Sequence, residues 1–107
     1  MTQGTYFMHY RNTGGSSVVR PQGGATLAIR KMDDDNLVVA MARCSTEDVF
    51  CKSRGRTIAE GRLNKFMNND RDGVHIRIIP MDNDVLPIKD TVDLAIGEEM
   101  AELGYYW

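Results

Sequence analysis

The chain has 107 residues with a net charge of −2 and a pI near 5.6. That length makes one domain, residues 1–107. Hydrophobic content of 42% beside 26% charged residues is ordinary for a water-soluble chain. The charge balance argues against bulk nucleic-acid binding and equally against a nucleic-acid mimic.

Thr5 to Arg11 alternates Tyr6, Met8 and Tyr10 against Phe7 and His9, and reads as a first strand. Asn12 to Gly24 is rich in glycine and serine and reads as a long connection. Ala25 to Met32 and Leu37 to Arg43 form a hairpin around the polar turn Asp33-Asp34-Asp35-Asn36. A helix follows from about Cys51 to Met67, after a short turn at 46–50. Ala59, Leu63, Phe66 and Met67 give it an apolar stripe. Ser45 or Asp48 is the expected cap, in the manner of a capping box. Asn68 to Gly73 reads as a turn and Val74 to Ile79 as the fourth strand, which Pro80 stops. A second helix runs from Asp90 to Leu103, with Asp90 or Thr91 capping it. Val92, Ala95, Ile96, Met100 and Leu103 line one face, and Gly104 ends it. The fold expected is α+β: a four-stranded antiparallel sheet, one central helix packed on it, and a C-terminal helix.

Gly55 and Gly61 stand inside the central helix, where each costs about 1 kcal/mol relative to alanine. Gly55 with Ala59 makes a groove of small residues. Three things can fill it: the domain's own sheet, another subunit, or a ligand.

Chemistry-bearing patterns are few. Asn68-x-Asp70-x-Asp72-Gly73 begins like a calcium loop, but its twelfth position is Ile79, which cannot supply the required carboxylate. His9 and His75 both fall in expected strands, with no third ligand type beside them, and read as structural or surface histidines. Cys44 and Cys51 fit neither a redox motif nor a zinc knuckle and read as reduced thiols. Cys51 lies near a helix start, where a thiolate is favoured. The glycines at 14–15 and 23–24 do not match a phosphate loop. No cofactor, metal set or catalytic triad is expected, and the chain reads as a non-enzyme.

The basic residues carry more information. Arg43 ends a strand, and Lys52, Arg54 and Arg56 occupy the first turns of the helix, whose free amides favour anions. Arg62 follows further along, and Phe50 offers a ring on which a base can stack. One reading is a solvated face paired with Glu47, Asp48 and Glu60. The other is a pocket for a phosphorylated ligand or an acidic partner, with Arg43, Phe50, Arg54, Arg56 and Arg62 as its contacts.

Val38 to Leu63, VVAMARCSTEDVFCKSRGRTIAEGRL, resembles a pattern of small bacteriophage accessory proteins. It is similar to the Thoeris anti-defence sponges of the first described type. The resemblance covers about a quarter of the chain. It rests on Cys44, Ser45, Asp48, Phe50, Gly55, Arg56, Ile58, Ala59, Gly61, Arg62 and Leu63, with Cys51 where serine is expected. It implies an oligomeric protein that captures a cyclic ADP-ribose-type immune signal without degrading it, in the cytoplasm of an infected bacterial host. Its implied partners are a small phosphorylated nucleotide and further copies of the chain, with neither membrane nor nucleic acid. A protein-binding inhibitor of a host defence complex, such as an anti-CRISPR, is the rival reading, followed by a small nucleic-acid-binding regulator. Tyr105-Tyr106-Trp107 is an aromatic terminus suited to burial between copies or against its own sheet.

Overall fold

The computed structural model describes residues 4–14, 18–32, 35–68, 75–81 and 87–107. Its elements in chain order are β1 (Tyr6–Asn12), β2 (Ala25–Lys31), β3 (Asn36–Arg43), α1 (Lys52–Met67), β4 (Ile76–Pro80), α2 (Ile88–Glu102) and β5 (Tyr105–Tyr106). The strands form one antiparallel sheet in the order β4-β3-β2-β1-β5. The fold is therefore α+β, as expected, with a fifth strand. Tyr105 and Tyr106 pair with Asn12 and Arg11 at the free edge of β1. A two-residue strand is too short to leave a period in the sequence.

The period of two in each strand divides its side chains between two helices on opposite faces of the sheet. Met8, Tyr10, Leu27, Ile29, Leu37, Val39 and Ile79 pack with Val92, Ile96 and Met100 of α2. Ala28, Val38, Ala40 and Ala42 pack on the other face with Ala59, Leu63 and Phe66 of α1. The apolar stripe expected for α1 is the buried one. For α2, Val92, Ile96 and Met100 are buried, whereas Ala95 and Leu103 are exposed.

Strand ends differ from expectation by a residue or two. β4 begins at Ile76, with the His75 carbonyl accepting from Met41 N at 2.9 Å, and Pro80 does not stop it but is its last residue, opposite Asn36 on this edge strand, where a proline is tolerated. The turn at 69–73, with its calcium-like spacing, lies outside the described residues, as do Val74 and the serines at 16–17.

Both expected helix caps are corrected. α1 has Cys51 at its N-cap and no side-chain cap bond. Ser45 and Asp48 instead close a turn of their own, with Asp48 N donating to Ser45 O at 3.0 Å and Glu47 N to Ser45 Oγ at 3.3 Å. α2 starts two residues before Asp90, with Pro87 at the N-cap. Proline presets a backbone that suits a helix start without any side-chain acceptor. Thr91 Oγ1 donates to Pro87 O at 3.1 Å, so its hydroxyl points back along the helix and does not cap it. Gly104 ends α2 with φ +78°, as its position after Leu103 implied.

Candidate functional site around the start of α1

The segment between β3 and α1 is laid against residues 21–24. Cys44 N donates to Gly24 O at 2.9 Å, Gly23 N to Asp48 O at 3.2 Å, and Phe50 N to Pro21 O at 2.8 Å. These bonds return the chain across the sheet and bring Phe50 over β1. Gly24 makes the seat for its ring. With φ +96°, Gly24 occupies a backbone region that side chains resist, and a Cβ there would stand 2.7 Å from Tyr10 O and 3.0 Å from the Phe50 ring.

Phe50 meets two residues of β1. Its ring stands edge-on to His9, centroids 5.9 Å apart at 80°. The Arg11 guanidinium carbon lies 4.6 Å from the Phe50 centroid, in cation–π contact. His9 Nδ1 and Thr26 Oγ1 share a hydrogen bond of 3.1 Å, and Thr26 is fully buried. Thr26 in turn carries the first turn of α1. A Cβ on Gly55 would stand 2.9 Å from Thr26 Cβ, so the glycine lets the helix start close on β2. Of the three uses open to Gly55, the domain's own sheet is the one observed. Gly61 has open space where a side chain would go.

A cavity of about 110 Å³ opens beside this start, lined among others by Arg43, Phe50, Cys51, Arg54 and Ile58. The amides of Lys52, Ser53 and Arg54 have no acceptor within the helix, because the ladder begins with Gly55 N to Cys51 O at 2.9 Å. Cys51 is exposed and its Sγ lies 3.3 Å from Ser53 Oγ. That hydroxyl, the amides of Arg54 and Ser53 and the Arg54 charge together hold the thiol below its ordinary pKa. Cys44, half-buried on the same cavity, directs its thiol to Asp48 O at 3.4 Å. Both cysteines are free.

The expected contact residues are thus divided between the two flanks of α1. Arg43, Phe50 and Arg54 meet at the cavity, on the side of β3. Arg62 lies on that side too, but its Nη1 donates to Met41 O at 2.7 Å, so its charge is tied to the sheet. Arg56 falls on the other flank with Lys52, where both act on His9. Arg43, Lys52, Arg54 and Arg56 are all exposed, as a solvated face would have them, but their pairing with Glu47, Asp48 or Glu60 is not seen: among the described residues the ion pairs are Lys31–Asp35 at 3.7 Å and Arg77–Glu99 at 2.9 Å.

Sequence reasoning missed Arg11 and Thr26 and undervalued His9. The signal was present in the alternation of β1, which puts Phe7, His9 and Arg11 on one face. It could not say that Phe50, some forty residues later, returns to that face. Among the described residues no three His, Cys, Asp or Glu side chains converge as a metal site, and no helix is long and apolar enough to cross a membrane. No protein-family model, no curated protein and no solved structure matches this chain.

Proposed function

We propose that the protein binds and sequesters a small phosphorylated nucleotide, with the start of α1 as the contact surface. The observation that carries this reading is the meeting of Arg43, Arg54 and the aromatic Phe50 at one cavity beside the N-terminus of α1. Arginine stays protonated, so its part in such a site is charge and hydrogen bonding. The resemblance over 38–63 narrows the ligand to a cyclic ADP-ribose-type immune signal and the role to phage antagonism of host defence.

Assembly belongs to the same proposal. Ligand sites commonly measure roughly 300–1,000 Å³. The cavity of about 110 Å³ fits a phosphate-sized group. The remainder of a nucleotide needs a further wall, and a second copy of the chain supplies it in this reading. Light scattering is then expected to give a dimer or larger symmetric assembly, and a monomer at high micromolar concentration would remove this part of the proposal.

The test of capture is to incubate the protein with cyclic ADP-ribose, remove free ligand, denature by heat and chromatograph what is released. Intact nucleotide is expected. A cleaved product would make the protein an enzyme, and no retained nucleotide would shift the reading to an inhibitor that binds a protein of the host defence. A specific observation favours that second reading: Leu94, Tyr106 and Trp107 are 75%, 49% and 52% exposed beside one another at the α2–β5 end.

A further inference from the structure

We infer that the β1 side of α1 carries an anion site distinct from the cavity, formed by His9, Arg11, Lys52 and Arg56 and suited to a phosphate or pyrophosphate group. The inference rests on the nucleotide reading only for the identity of the natural ligand.

Three observations meet here. Lys52 and Arg56 are four residues apart in α1 and so share a face. Their flank is opposite to the one on which Arg62 reaches Met41 of β3. From β1, His9 and Arg11 project toward the same flank, and both touch the Phe50 ring. The guanidinium of Arg11 is held against that ring with its Nε buried and without a hydrogen-bond acceptor.

The electrostatics point the same way. Burial, then Lys52, Arg56, Lys89 at the start of α2, and Arg11 all push the His9 pKa down from 6.5. The charges that lower the His9 pKa are positive, Lys89 acting from α2 on the other face of the sheet, and the groups packed on His9 from β2 and the 44–50 segment, Thr26 and Phe50, are uncharged. Lys52, Arg56 and Arg11 repel one another here, with Glu60 one turn beyond Arg56 on the same flank and no ion pair to it among the described residues, and a multiply charged anion relieves that repulsion. Once the anion is present, the field at His9 reverses and the imidazolium is favoured. Binding is then coupled to proton uptake and tightens as pH falls toward the pKa of His9 in the free protein.

The chain has two histidines, so the His9 ring signals are assigned by NMR with a single His9→Asn control. Inorganic pyrophosphate is the probe for the site, and inorganic sulfate, which does not titrate near neutrality, is the probe for the pH dependence. Pyrophosphate is expected to move the His9 signals and raise its pKa. Lys52→Met and Arg56→Met are each expected to weaken pyrophosphate binding about tenfold, as removal of one charge-assisted hydrogen bond implies. Arg54→Met leaves the His9 response intact, and sulfate binds more tightly in mild acid. Pyrophosphate that leaves His9 unmoved, or a His9 response abolished by Arg54→Met, overturns the inference. If nucleotide is captured while His9 does not respond, the capture reading stands and this site falls. If His9 responds while no nucleotide is retained, this site stands and the nucleotide reading falls.

Discussion

The two faces of the sheet are built from different materials. Against α2 the strands present large apolar side chains, with Leu27, Ile29, Leu37 and Val39 all fully buried. Against α1 the same strands present Thr26, Ala28, Ala40 and Ala42, and at the β1 end His9 and Arg11. Small residues let α1 lie close, and the polar ones sit where its first turn leaves the sheet edge open. One face supplies most of the burial that holds the fold. The other gives up burial to place charges and a ring beside a helix N-terminus. In the proposed reading, stability and binding are therefore separable by mutation.

The largest effect should come from the α2 face. Leu27→Ala is expected to destabilise by about 2–5 kcal/mol in urea unfolding, the range for a truncated core leucine. A loss below that range would mean that the α2 face is not the stability face. Gly55→Ala comes next. The added methyl gains helix propensity but drives into Thr26, and a net loss of about 1–3 kcal/mol is expected from overpacking. It should also break the His9–Thr26 hydrogen bond, which the His9 NMR signals would report. Tyr10→Phe removes the 2.6 Å bond from the Tyr10 hydroxyl to Asp93 Oδ1, which ties β1 to α2, and is expected to cost about 1–2 kcal/mol. Burial, reinforced by Asp93, raises the Tyr10 pKa above its unfolded value of 10.0. Stability from this phenol is thus present below that value and falls as pH rises past it, a decline that Tyr10→Phe should abolish.

Gly61→Ala should move the other way. Nothing lies within 4 Å of its missing side chain, so alanine is expected to stabilise by about 0.5–1 kcal/mol. A loss of assembly in this variant would instead mark Gly61 as a contact between copies. The smallest effect belongs to His9. Its pKa is lowered in the folded state, so between that value and 6.5 the unfolded chain binds more protons. Stability is then full above pH 6.5 and declines as the solution is acidified. His9→Asn should flatten that decline in thermal melts, and saturating pyrophosphate should do the same.

Most of this fold was legible because periods are local. Alternation in β1 and the Ala59-Leu63-Phe66 stripe of α1 are local patterns, and β2 and β3, buried on both faces, read as short apolar runs. The α1 cap was misread because Ser45 has the chemistry of a cap but spends its hydroxyl on the Glu47 amide, in a turn that Asp48 closes through its backbone. β5 escaped because its pairing with Arg11 and Asn12 is a contact across nearly the whole chain. At the site, residue type alone grouped Arg43, Arg54, Arg56 and Arg62. Their separation depends on which flank of α1 meets β1, a tertiary fact set by Gly55 resting on Thr26. Arg62 shows the limit most clearly: its guanidinium suits a phosphate, yet its partner is a strand carbonyl.

The central claim is that the α1 face binds a nucleotide through charges that the fold does not need. It is tested most directly by calorimetric titration of cyclic ADP-ribose into the wild type and the Arg43→Ala/Arg54→Ala double variant, which removes both cavity arginines. The account predicts binding by the wild type and an affinity lower by about a hundredfold or more in the variant, because two charge-assisted hydrogen bonds are removed. Equal affinity in the two proteins, or no heat of binding in the wild type, would contradict it.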